Sequence, residues 1–215
     1  MKLRVFFVLC ILIVMGLCGC AVKSVEVVLE ETSLKDNGEP NPLVVMQVKD
    51  FGTIQMELYP DKAPNTVYSF ISLIQKGFYD GVVFHRVAPG FVLQGGDPNG
   101  NGRGGPGYNI KGEFPVNGFF QNDLQHIRGA LSMARADPYD SAGSQFFICL
   151  ADQPQLDDLG YCVFGQIISR ESFEVIDKMA ATPLKSSQTP ATPPVMVKVT
   201  VDTFGVSYPE PEVIR

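Results

Sequence analysis

A chain of 215 residues, 45% of them hydrophobic, has ample apolar material for one folded domain of ordinary size and requires no second. Its formal charge of −6 would become −8 if Lys2 and Arg4 leave with an N-terminal signal segment. That acidic balance argues against a nucleic-acid-binding protein and against docking on anionic lipid through the domain itself.

Lys2 and Arg4 precede an apolar run from Val5 to Leu17, too short for a comfortable membrane span and of the length of a signal-peptide core. Residues 1–19 are therefore expected to be a lipoprotein signal peptide. Leu17-Cys18-Gly19-Cys20 resembles a bacterial lipobox, in which Cys20 becomes the lipid-modified first residue of the mature chain. A multiply acylated cysteine buries enough methylenes for a stable anchor, at ~0.8 kcal/mol each. The expectation is an extracytoplasmic protein, lipid-anchored to a bacterial membrane. Ordinary secretory cleavage, or retention as an uncleaved anchor, also places the domain outside the cytoplasm.

Residues 20–42 hold acidic side chains, Asn37-Gly38 and two prolines without sustained periodicity, which reads as a lipidated N-terminus and flexible tether of roughly 25 Å span. Of five cysteines, Cys10 and Cys18 leave with the leader and Cys20 is modified. Cys149 and Cys162 remain; the sequence leaves their pairing open, and buried unpaired cysteines behave as small hydrophobes.

The domain is expected over residues 43–205. Leu43 to Val48 and Thr53 to Tyr59 alternate around Lys49-Asp50-Phe51-Gly52, an opening hairpin. Pro64 then stands at the start of a run in which Val67, Phe70, Ile71 and Ile74 recur at helical spacing until Gly77. Strands follow at Val82 to Val87, Phe91 to Gln94, Ala130 to Ala134, Gln145 to Leu150 and Cys162 to Ile168. A second amphipathic helix spans Ser172 to Ala181, and Val195 to Phe204 closes the domain. Thr182 to Pro194 reads as a loop, and residues 206–215 as a poorly ordered C-terminal tail. Many short strands with two helices predict a mainly β fold, a closed eight-stranded antiparallel β-barrel capped by two α-helices.

Phe84-His85-Arg86-Val87 and Phe91-Val92-Leu93-Gln94-Gly95-Gly96-Asp97 set one arginine and one glutamine among apolar strand residues. Alternation puts Phe84 and Arg86 on one face, with Phe91, Leu93 and Gly95 opposite Val92 and Gln94. The glycine-rich run from Gly95 to Gly107 is not a phosphate cradle. No lysine with serine or threonine follows in the required order, and Asp97-Pro98 and Pro106 interrupt any helix. His85 and His126 have no cluster of cysteines or carboxylates around them, so no metal site is expected. Ser132 and Ser144 lie in strand-like contexts without a nucleophile elbow, which argues against a serine hydrolase.

These blocks, with Gly129-Ala130-Leu131-Ser132-Met133-Ala134-Arg135, Gly143-Ser144-Gln145-Phe146-Phe147-Ile148 and Val163-Phe164-Gly165, resemble the cyclophilin family of peptidyl-prolyl cis-trans isomerases from about Leu43 to Phe204. The resemblance implies a cyclophilin-like barrel with a groove on its outer surface and, as partners, proline-containing peptides and unfolded protein clients; no cofactor is expected, and a monomer is expected because nothing in the sequence suggests a heptad or an exposed apolar stripe. The resemblance also implies catalytic roles for Arg86, Phe91, Gln94 and Phe147. Substrate binding falls to Val92, Met133, Ala134, Arg135, Gln145, Leu156 and Tyr161, with Phe91, Met133, Phe147 and Leu156 forming the proline socket. Gln155 and Tyr161 stand where many eukaryotic members have tryptophan and histidine, which implies weak cyclosporin binding.

Rotation about an X-Pro bond faces a barrier of ~18–20 kcal/mol. An isomerase needs neither nucleophile nor metal; it needs a donor for the prolyl nitrogen as that atom becomes pyramidal, and Arg86 is the candidate. A peptide-binding chaperone that keeps the groove with little turnover is the alternative.

Overall fold

The computed structural model of the protein describes Ser33, Lys35 and residues 38–215. The expected signal peptide, Cys20 and most of the tether lie outside the described residues.

Strand alternation builds the opening hairpin. β1 (Leu43–Val48) and β2 (Gly52–Leu58) pair antiparallel, Leu43 opposite Glu57 and Val48 opposite Gly52. Helix α1 (Pro64–Gln75) follows, with Pro64 in its first turn, where a missing N–H costs nothing. Ala63 offers no side-chain cap. Instead the carboxylate of Glu113, from a distant loop, accepts from the backbone N–H of Asn65 at 3.0 Å and Thr66 at 2.8 Å. It satisfies two orphan donors and opposes the helix dipole. Further along come β3 (Arg86–Ala88), β4 (Val92–Gly95), β5 (Ala130–Met133), β6 (Phe146–Cys149), a single helical turn α2 (Gln155–Asp158), β7 (Val163–Ile167), α3 (Arg170–Ala180) and β8 (Met196–Asp202). Ser169 caps α3 by accepting from the Ser172 N–H, and Glu171 and Lys178 suit its two ends.

The strands form one antiparallel sheet in the order β3-β4-β6-β5-β7-β2-β1-β8. The sheet curls into a half-barrel, and the expectation of a closed barrel is corrected. The edges β3 and β8 share no ladder; an isolated bridge, Val83 with Val195, and a few backbone bonds such as Phe84 N–H to Pro194 O span the seam. The cause is local: β3 has only three residues, and Pro193 and Pro194 bring no N–H to the approach of β8. The count of two helices is also amended by the α2 turn and a 3₁₀ turn at Pro115–Asn117.

Both long helices serve one core. Val67, Phe70, Ile71 and Ile74 from α1 and Val175, Ile176 and Met179 from α3 meet the inward residues Met46, Met56, Leu93, Leu131, Phe146 and Phe164. Phe70 stands among three rings, with centroids 5.0 Å from Tyr79, 5.5 Å from Phe146 and 5.1 Å from Phe164. Cys149 and Cys162 are free and buried. Burial pushes each thiol up to about 12, so neither is a nucleophile at neutral pH.

Three local expectations are revised. Phe84 does not share a face with Arg86: Phe84 and Val87 both point into the core, because extended pairing is interrupted at His85 and the alternation loses a step. Likewise Phe91 precedes β4 in a turn, and Leu93 joins the core. The C-terminal residues are not a loose tail but run along α1. The Tyr208 ring meets Tyr68 at 5.8 Å, and the Glu210 carboxylate accepts from Ser72 and Lys76. Glu212 bonds the Asn65 amide through both its backbone groups, and Ile214 bridges Asn109. The described part of the tether is docked too, with Ser33 on the Glu57 carboxylate and Lys35 between Glu39 and Tyr208.

Candidate active site

Paired residues on neighbouring antiparallel strands project to the same side of a sheet. Arg86 pairs with Gln94, Gln94 with Phe147, and Phe147 with Ser132, so one cross-strand row runs over β3, β4, β6 and β5. On the outer face this row lies over a second apolar cluster of Ala88, Val92, Ala130, Phe147, Cys149, Leu156 and Val163. Arg86, Phe91, Val92, Gln94, Ala134, Arg135, Phe147, Leu156 and Tyr161 line a groove of about 280 Å³ above it. Phe147 and Leu156, both nearly buried, make its floor.

The Arg86 guanidinium lies over the Phe91 ring, 5.5 Å from the centroid. Its Nε donates to Gln188 Oε1 at 2.6 Å and its Nη1 to Gln94 Oε1 at 3.1 Å. The amides continue as a relay: Gln94 Nε2 donates to Gln145 Oε1 at 3.0 Å, and Gln145 Nε2 to the Gly104 carbonyl at 2.9 Å. No carboxylate pairs with Arg86 among the described residues. Burial lowers the guanidinium from its ordinary range and the Tyr161 phenol raises it; an arginine so placed stays charged at neutral pH. Of its five N–H groups, the two glutamines occupy two, which leaves donors for a ligand.

The glycine-rich run that carries Gly104 is organised by one buried carboxylate. Asp97 accepts from the backbone N–H groups of Asn99, Asn101, Gly102 and Arg103. Burial raises the Asp97 carboxyl, yet these bonds hold it below the ordinary range. A Cβ at Gly104 would lie 2.0 Å from that carboxylate, so only glycine fits the approach.

The far wall is stapled by Arg135. Its Nε and Nη2 donate to the carbonyls of Gly160 and Leu159 at 2.7 and 2.6 Å, and its Nη1 to those of Ala136 and Asp137. The guanidinium also lies 4.8 Å from the Tyr161 ring centroid. This side chain therefore ties two loops together rather than presenting a free charge.

Nine of the eleven expected site residues thus converge on the groove. Gln145 reaches it through Gln94. Met133 does not: alternation along β5 sends Leu131 and Met133 into the core and leaves Ser132 outward, so Met133 is corrected from socket to core. Sequence reasoning missed Gln188, which lies in a run readable only as a loop, and His126, weighed only as a metal ligand. His126 and Asp157 sit beneath the floor, where nothing in their local sequence marks them.

Comparison with known proteins bears on what this groove does. Residues 43–201 match the family model described as cyclophilin type peptidyl-prolyl cis-trans isomerase/CLD. A peptidyl-prolyl cis-trans isomerase of Synechococcus elongatus is 50% identical over 125 residues, spanning 58% of this chain and 80% of that protein. Peptidyl-prolyl cis-trans isomerase B of Bacillus subtilis is 50% identical over 126 residues, 59% of this chain and 83% of that protein. The crystal structure of a cyclophilin type isomerase from Cryptosporidium parvum superposes with a TM-score of 0.65 at 30% identity, covering 75% of this chain and 97% of its own. A family match over most of the domain, on a fold that carries the groove on its outer face, means that this chain belongs to the cyclophilin-type peptidyl-prolyl cis-trans isomerases.

Proposed function

We propose that this isomerase turns X-Pro bonds of extracytoplasmic proteins by stabilising the twisted amide through Arg86. The proline ring sits on Phe147 and Leu156 with Phe91 and Val92 at its edges, while Gln94 and the backbone at Ala134 and Arg135 hold the flanking peptide. In the planar amide the prolyl nitrogen has no lone pair to offer; as the bond turns it becomes pyramidal and accepts from the Arg86 fork. That interaction strengthens only in the transition state, which is what lowers the barrier. The observation that carries the reading is an arginine held over an aromatic ring by two neutral amides, with open donors beside an apolar floor. A relative of this fold was solved in the presence of the dipeptide Ala-Pro, which agrees with a proline peptide as ligand. Arg86→Ala should lose most of the acceleration of a proline peptide's isomerisation, and a variant that keeps it would overturn the reading.

Anchoring rests on Leu17-Cys18-Gly19-Cys20 after the short apolar run. Labelled palmitate should enter the chain expressed in a bacterium with a lipoprotein pathway, and the Cys20→Ser variant should take up none. Equal labelling of both, or of neither, would refute the lipid anchor. The domain acts as a monomer on unfolded clients.

Gln155 donates to Gln153 Oε1 at 2.7 Å and is not among the groove-lining residues, so no indole covers a cyclic peptide there. Cyclosporin should accordingly bind weakly, and tight binding in a direct titration would contradict this.

A further inference from the structure

Outside the groove lining, the His126 imidazole is buried, only 2% exposed. Its Nδ1 lies 2.6 Å from Asp157 Oδ1, which also accepts the His126 backbone N–H at 3.0 Å, and its Nε2 lies 2.9 Å from Ser132 Oγ. The ring stacks on Phe147, centroids 5.8 Å apart at 19°, and presents its edge to Tyr161 at 6.4 Å. One imidazole thereby touches β5 through Ser132, the groove floor on β6 through Phe147, and the far wall through Asp157 of α2 and Tyr161.

A carboxylate can only accept, so Nδ1 carries the proton and Nε2 receives the Ser132 hydroxyl. The order serine, histidine, aspartate invites comparison with a hydrolytic triad, but the Ser132 side chain is fully buried, and a nucleophile must reach its substrate. The arrangement fits a joint instead. We propose that His126 is a positioning residue for isomerisation, a neutral strut that holds the Phe147 floor and the Leu156–Tyr161 wall at a fixed separation.

The strut depends on the ring's charge. Protonation would put a hydrogen on Nε2, against the hydroxyl now donating to it, and a cation beside the Phe147 ring. Burial lowers the His126 pKa, while Asp157 raises it. Also near this site are the Cys149 thiol on β6, protonated at neutral pH and under the influence of both Asp157 and Asp152, and the Tyr161 phenol at the ring's edge. The neutral, competent form therefore prevails at neutral pH and is lost as pH falls below the ordinary histidine value.

This inference rests on the groove being the isomerase site, and its test keeps the two separable. The test is kcat/KM on a proline peptide between pH 4.5 and 8, with circular dichroism verifying that each variant stays folded across the range. The wild-type protein should show an acid limb below pH 6.5. Asp157→Asn keeps an acceptor but removes the charge that raises the His126 pKa, and should move the limb to lower pH. His126→Asn should abolish it and lower kcat/KM at pH 7.5 by roughly tenfold. His85→Gln, changing the only other histidine, should retain the limb. A wild-type profile without the limb, or a limb unmoved by Asp157→Asn, overturns the strut; the Asp157 variant decides alone if His126→Asn fails to fold. If Arg86→Ala is inactive while Asp157→Asn leaves the limb unmoved, only this proposal ends, whereas a fully active Arg86→Ala protein ends the reading beneath it.

Discussion

Replacing Arg86 with alanine is expected to lower kcat/KM on a proline peptide by about 10²–10³-fold, the usual cost of removing one preorganised donor from a transition state. Stability should barely change, because Arg86 is half-buried and its partners are two neutral glutamine amides that water can serve in its absence. Arg86→Lys should restore little. A lysine ammonium is a point donor on a flexible stem, and it cannot keep Gln94, Gln188 and the prolyl nitrogen in one plane. A protease-coupled assay reads both variants directly. Activity of the alanine variant within about threefold of wild type would remove Arg86 from the mechanism.

The second large effect is on the fold alone. Phe70→Ala should cost about 3–5 kcal/mol and lower Tm by roughly 10 °C or more. Phe70 is 1% exposed, and truncating it leaves the rings of Tyr79, Phe146 and Phe164 facing a void that their own packing prevents from closing. The groove lies on the opposite face of the sheet, so the fraction still folded at low temperature should keep nearly wild-type kcat/KM. Thermal unfolding measures the first part and the assay the second. A Tm shift of only one or two degrees would mean that Phe70 is not the centre of the core.

The contrast between these two residues shows what was legible in the chain. Alternation along β1 and β2, and the helical recurrence of Val67, Phe70, Ile71 and Ile74, are local signals, and both elements stand within a residue or two of their expected bounds. The errors fall where a local period is interrupted or where the deciding partner is remote. At His85 the strand breaks, which sends Phe84 inward and leaves Arg86 outward. Along β5 the same alternation that places Ser132 beneath Phe147 places Met133 in the core, but only the register against β6 says which of the two faces is which. Glu113 on the first turn of α1, and Asn65 clasping Glu212, are bonds across 47 and more positions, invisible to any window. Gln188 and His126 belong to the same class: each is polar, isolated in sequence, and given meaning only by Arg86 or Phe147 arriving from elsewhere. Most of the groove lining was named because separate motifs pointed to one family, whereas periodicity by itself would have assigned Phe91 and Phe147 to the core.

The most direct test follows the bound peptide rather than turnover. NMR exchange at saturating protein yields the cis-trans interconversion rate of a proline peptide in the groove, separately from its Kd. Arg86→Ala should keep a Kd within a few-fold of wild type and show an on-protein rate about 10²-fold slower. An unchanged rate with only a weaker Kd would contradict this, since Arg86 would then bind the peptide without favouring its twisted form.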